Sequence, residues 1–126
     1  MITNFLRFQF RNEVNEAKKQ QALEVITRTA SVDSVSFSII GRYFGDDGYT
    51  HAYCVSIPDL AALNRYLHEP VHREGDFQFI RLLAKLSGMM VSDDPDPDLA
   101  AKVQECWSAA VDPEWKALFD RFGKVG

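Results

Sequence analysis

The sequence predicts an α+β domain, an antiparallel sheet with helices on one face in the order β-α-β-β-α-α-β, followed by a helical tail. Three observations carry that prediction. Strand-period alternation recurs on both sides of a Gly-Asp-Asp-Gly turn, helix-period stripes separate the strand runs, and Asn, Asp or Pro marks each helix start.

The first strand runs from Ile2 to Phe10. Ile2, Asn4, Leu6, Phe8 and Phe10 face one way, and Thr3, Phe5, Arg7 and Gln9 the other. Phe5 beside Arg7 suggests that the second face is partly covered as well. Asn12 or Asn15 can cap the helix that follows, whose apolar stripe is Val14, Leu23, Ile26 and Ala30. Ser31 to Asp33 breaks it. Val35, Phe37 and Ile39 then alternate with Ser34, Ser36 and Ser38 as a second strand with one oily and one hydroxyl-bearing face. Gly45-Asp46-Asp47-Gly48 is a hairpin turn, because Asp and Gly tolerate the left-handed conformations such turns require. The third strand, Tyr49 to Ile57, carries Tyr49, His51, Tyr53, Val55 and Ile57 on one face.

Pro58 at a helix start, with Asp59 in its first turn, launches Leu60, Leu63, Tyr66 and Leu67 at helical spacing. Pro70 ends that helix by excluding the α conformation at Glu69, and itself suits the first position of the next. That helix draws its apolar face from Phe77, Ile80, Leu83 and Ala84, with Phe79 as a further member. Ser87 to Ser92 reads as the last strand. Asp93 to Asp98 is an acidic, proline-punctuated spacer without the spacing of a calcium loop. Asp96 is expected to cap a helix with Pro97 in first position and a stripe of Leu99, Val103, Cys106, Trp107 and Ala110. Asp112-Pro113 repeats the device for a short helix bearing Trp115, Leu118, Phe119 and Phe122, closed by Gly123. The order is ferredoxin-like in outline, and a bare outer sheet face calls for a partner.

Composition bounds the function. With 46% hydrophobic residues and nine phenylalanines the chain can bury one core, whereas a net charge of -4 gives no positive field to hold nucleic acid. No apolar run approaches the ~20 residues needed to cross a bilayer, and Met1 to Phe10 lacks a signal-like apolar core. These features, with Cys54 and Cys106 read as buried thiols, predict a soluble cytoplasmic protein.

The chemistry concentrates between Gly48 and His72. His72 sits in the first turn after Pro70, where the positive helix end favours an uncharged imidazole suited to general-base work. Pro70 folds Tyr66 toward it, and a phenol there can donate to a substrate oxygen as charge develops. His51, with Asn4 on the neighbouring strand, can orient a carbonyl or hydroxyl. His68 and His72 have the spacing of two metal ligands, but Pro70 interrupts their helix and no third ligand stands nearby. Neither a Gly-rich phosphate loop nor a Gly-x-Ser-x-Gly elbow occurs, so no nucleotide cofactor is expected.

At Asp47-Gly48-Tyr49-Thr50-His51 and Tyr66-x-x-x-Pro70-x-His72 the chain resembles the stress-responsive dimeric α/β-barrel (Dabb) family. The resemblance divides the chain into a barrel domain, 1–94, and a helical extension, 95–126. It implies a homodimer whose sheets pack face to face, each monomer holding a cavity between sheet and helices. Family members include plant polyketide cyclases of the olivetolic acid cyclase type, a hydroxynitrile lyase, and stress-induced proteins without an established reaction. Tyr66 and His72 fall on the cyclase's acid/base pair, and His51 on a histidine facing the same cavity. Asn4 stands where the family often has a histidine, and Glu69 where a histidine precedes the proline. Ala22, Leu23 and Ile26 replace aromatic side chains, so the cyclase's substrate does not carry over.

The expectation is therefore a cofactor-independent acid/base enzyme, a lyase, cyclase or isomerase of a small, largely apolar carbonyl or phenolic compound. Tyr66, His72 and His51 would act, and Asn4, Leu6, Leu23, Ile26, Tyr53 and Leu83 would line the site. No metal, nucleic acid or membrane is expected. Two alternatives stand beside it, a non-catalytic ligand-binding stress dimer and a cofactor-free oxygenase of electron-rich phenols.

Overall fold

A computed structural model describes residues 1–123; residues 124–126 of the expected extension lie outside the described residues. Strands β1 (Ile2–Phe10), β2 (Phe37–Arg42), β3 (His51–Ile57) and β4 (Leu83–Ser92) form one antiparallel sheet in the order β2-β3-β1-β4. Helices α1 (Glu16–Thr29), α2 (Leu60–His68) and α3 (Pro70–Phe79) cover one face of it. Helices α4 (Leu99–Ala110) and α5 (Pro113–Asp120) pack in turn against α2 and α3. The expected order of elements is the order observed.

Local chemistry accounts for most boundaries. Asn15 is the N-cap of α1, its side chain accepting from Lys18 N–H. Asp59 caps α2 by accepting from Ala62 N–H, so it precedes the first turn in which it was expected, and Pro58 stands outside that helix and not at its start. Glu69 is extended, as the following proline demands, and Pro70 opens α3. Asp98, without a side-chain cap bond, precedes α4 in place of Asp96. The Asp96 carboxylate instead accepts from Asp98 N–H and Lys102. Asp112 caps α5 as expected, accepting from Trp115 N–H, and Gly123 takes the left-handed φ of 76° after it.

The largest departure concerns Leu83. Helix α3 stops at Phe79, a short 3₁₀ turn spans Ile80–Leu82, and Leu83 is already the first residue of β4, opposite Phe10. Ile80, Leu82, Leu83 and Ala84 stand too close together for their spacing to separate helix from strand, and pairing with β1 decided it.

Register decides which way the second strand faces. Ile40 lies opposite Tyr53, whose side of β3 is buried, and so Phe37 and Ile39 point away from the helices. With Met89 and Val91 of β4 they form an apolar outer face, at 58%, 61%, 48% and 63% exposure respectively. The core lies on the other face, where Phe8, Val55, Ile57, Phe79 and Leu83 are fully enclosed. Gly75 sets the approach of α3 to α1: a Cβ there would meet Thr29 Oγ1 at 2.7 Å and Val25 Cγ1 at 3.3 Å. Thr29 Oγ1 also donates to the Val71 carbonyl at 3.3 Å, tying α1 to the first turn of α3.

Candidate functional site

Between the sheet and the helices lies a cavity of about 210 Å³. Ile2, Asn4, Leu6, Tyr53 and Ile57 form its floor; Ile26, Leu63, Tyr66, His72, Asp76 and Phe79 are among its helical walls. Val103, Gln104 and Trp107 of α4, with Lys116 and Phe119 of α5, close it from above. The tail thus supplies part of the enclosure. Pockets for drug-sized ligands run to roughly 300–1,000 Å³, so a space of this size suits a smaller guest.

The chain break at Pro70 builds the centre of this site. In an uninterrupted helix the Tyr66 carbonyl would accept from the N–H of the residue four positions on, but that residue is Pro70 and has none. Glu69 N–H reaches the carbonyl at 3.3 Å, and His72 Nδ1 approaches it at 3.2 Å. A carbonyl only accepts, so Nδ1 carries the proton in that contact and Nε2 is the free ring nitrogen. The two rings lie 4.3 Å apart at 34°. Tyr66 and His72 are thus brought together, but through ring contact and a backbone bond.

The Tyr66 hydroxyl instead pairs with that of Tyr53, 2.7 Å away. One hydroxyl donates to the other, which leaves one O–H of the pair free to polarise a guest oxygen. Burial pushes both phenols up from their ordinary pKa, so both remain proton donors across the physiological range.

Asp76, one turn beyond His72 on α3, was not picked out by the sequence. Its Oδ2 lies 3.6 Å from His72 Nε2 and accepts the indole N–H of Trp115 at 2.7 Å; its side chain is 13% exposed. Burial raises its carboxyl above the usual carboxylate range, partly offset by His72 and the Trp115 bond. Its four-residue offset from His72 was a readable signal once Pro70 had placed both on one helix. Trp115, 39 residues away from Asp76, gave none.

Three expected residues lie elsewhere. His51 stacks on Phe8, with ring centroids 5.5 Å apart, and its Nδ1 meets Thr50 Oγ1 at 2.8 Å. It belongs to the aromatic cluster at the start of β3, and burial, with Lys19 in second place, lowers its pKa. Leu83 is enclosed in the sheet core opposite Phe10, and Leu23 is half-buried on α1; neither lines the cavity. Asn4, Leu6, Ile26 and Tyr53 do, beside Tyr66 and His72.

A four-stranded antiparallel sheet carrying its helices on one face, in this order, defines a ferredoxin-like α+β protein. The model of the stress-responsive A/B barrel domain (Dabb) matches residues 2–94, and the chain belongs to that family. Helices α4 and α5 lie beyond the matched stretch. A search of curated proteins finds no match. Among solved structures, a hydroxynitrile lyase from Passiflora edulis is similar in fold, at 14% identity and a TM-score of 0.66 over 74% of this chain and 94% of its own. An Arabidopsis thaliana protein matches at 17% identity and 0.65 over 75% and 96%. A dimeric ferredoxin-like protein of unknown function from Thermobifida fusca matches at 17% and 0.64 over 72% and 89%. No helix among the described residues is long and apolar enough to cross a membrane.

Proposed function

We propose that the protein is a homodimer that binds a small, largely apolar carbonyl or phenolic compound in this cavity and acts on it by acid/base chemistry without a cofactor. The observation that carries the reading is that His72 and the Tyr53–Tyr66 hydroxyl pair line one cavity together with the apolar side chains of Ile2, Leu6, Ile57, Leu63 and Phe79. His72 Nε2 takes a proton from carbon or oxygen of the guest. The free O–H of the tyrosine pair then holds the oxygen on which negative charge develops. Asn4, on the floor, offers an amide to orient a carbonyl or hydroxyl. Cyclisation, retro-aldol cleavage, dehydration and isomerisation all share this proton loss beside a polarised oxygen. The hydroxynitrile lyase of the same fold supports a lyase-type reaction by analogy. The dimer is supported by the apolar outer face of the sheet and by the dimeric ferredoxin-like protein of the same fold.

A panel of small aryl ketones, alkyl phenols and cyanohydrins tests it, with binding followed by NMR and turnover by chromatography. His72→Gln is expected to cut turnover by roughly 10²–10⁴-fold and Tyr66→Phe by roughly 10²-fold, with binding nearly retained. His51→Ala, outside the cavity, serves as the comparison and keeps binding within about twofold. A panel in which nothing binds, or in which His72→Gln turns over at the parent rate, refutes the reading.

A further inference from the structure

Asp76 is a buried carboxylate on the cavity wall that the chemistry above leaves without a task. Its surroundings assign it one. Because His72 Nδ1 is committed to the Tyr66 carbonyl, Nε2 is the nitrogen through which the ring exchanges a proton with a guest, and Asp76 Oδ2 stands 3.6 Å from it. A carboxylate there stabilises the imidazolium that forms when His72 accepts a proton. The carboxylate is itself held from outside the barrel domain. The Trp115 indole donates to the same oxygen at 2.7 Å, and its ring meets the His72 ring edge-on at 5.1 Å. Arg73 to Asp112 at 2.7 Å, and Arg121 to the carbonyls of Ile80 at 2.6 Å and Leu83 at 3.1 Å, fasten the two ends of α5. The groups facing Asp76 are Tyr53 from β3, Tyr66 from α2, His72 from α3 itself and Trp115 from α5.

We propose that Asp76 is a positioning residue that prepares His72 for proton transfer, and that Trp115 holds Asp76 in place, so that the C-terminal helices complete the site instead of merely covering it. The inference rests on the acid/base reading and adds Asp76 and Trp115 to it. A tail that undocks would withdraw the indole from Asp76 and open the cavity in one movement.

The test follows the Asp76 carboxyl carbon and the His72 ring nitrogens by NMR in the full-length, isotope-labelled protein across pH. The parent is expected to show His72 protonated at Nδ1 when neutral and an Asp76 midpoint above the ordinary carboxylate value. Trp115→Phe, which keeps a ring and deletes the N–H, should raise the Asp76 proton affinity by about tenfold. In the activity panel Asp76→Asn should lower kcat by about 10²-fold with KM within about threefold, and Asp76→Glu should restore part of it. An Asp76 midpoint unmoved by Trp115→Phe, or His72 protonated at Nε2 in the neutral parent, overturns the proposal. The titrations need no substrate. Their failure therefore sinks this inference alone, whereas absence of turnover across the panel sinks the acid/base reading itself.

Discussion

Truncating Trp115 to alanine removes a side chain that is 1% exposed and is wedged between His72 and Trp107. Deleting an aromatic ring from a packed site costs about 3–5 kcal/mol, the lost transfer energy plus the cavity left behind. Removing the indole N–H also leaves the Asp76 carboxylate short of a partner, which adds about 1–3 kcal/mol. The sum, about 4–8 kcal/mol, is an upper bound on what the assay returns. Helix α5 can release before the sheet does, and once undocking costs less than the full loss, α5 detaches while the sheet with helices α1 to α3 keeps its own transition. Urea unfolding read by far-UV circular dichroism gives the global step. Fluorescence gives the local one, because Trp107 is the sole tryptophan once Trp115 is gone. Trp115→Ala is expected to red-shift Trp107 emission at low denaturant, ahead of the loss of helix signal. Trp115→Phe, which retains most of the buried ring, should cost about 1–3 kcal/mol. A loss below about 1 kcal/mol for the alanine variant, with Trp107 emission unchanged, would show that α5 does not pack on His72 in solution.

Burial holds the Asp76 carboxyl above its unfolded value, so the folded state binds that proton more tightly; the stability linked to it is full below the unfolded value and is lost as pH rises through the folded one. Asp76→Asn is therefore expected to be more thermostable than the parent at pH 7, with the gain fading toward about pH 4; a variant less stable at pH 7 contradicts this. Ile39→Lys, on the outer sheet face, should convert the proposed dimer to monomer by sedimentation while leaving the circular dichroism spectrum intact, and a dimer that persists would place its interface elsewhere. Gly75→Ala should destabilise by about 1–3 kcal/mol despite alanine's better helix propensity, because the added carbon meets Thr29 Oγ1 at 2.7 Å; unfolding midpoints at or above the parent's would show that α1 and α3 can separate freely.

Elements whose signals are local were legible from the residues. The alternation of Ile2 to Phe10, the caps at Asp112 and at one of the two candidate asparagines, Asn15, and the break at Pro70 each depend on neighbours within a few positions. Steric exclusion by a proline ring, or a side chain accepting from an N–H three residues on, acts the same way wherever the chain lies. The pairing of Tyr66 with His72 was readable for that reason, since both flank Pro70. Leu83 was misplaced because the short apolar run Leu82 to Ala84 satisfies either period, and a hydrogen-bond ladder to β1 had to choose.

What the tertiary structure decided was which distant groups meet. Phe8 and Phe10 drew His51 into an aromatic cluster away from the cavity; the Tyr66 hydroxyl went to Tyr53; and Asp76 found Trp115 across 39 residues of chain. A buried hydroxyl or carboxylate must be satisfied by whatever the fold brings within about 3 Å, and that neighbour is set by packing and register, not by sequence separation. The amino-acid order therefore determined where the chain turns, which faces are apolar and that a phenol and an imidazole flank one kink. The folded chain alone determined what each of them touches.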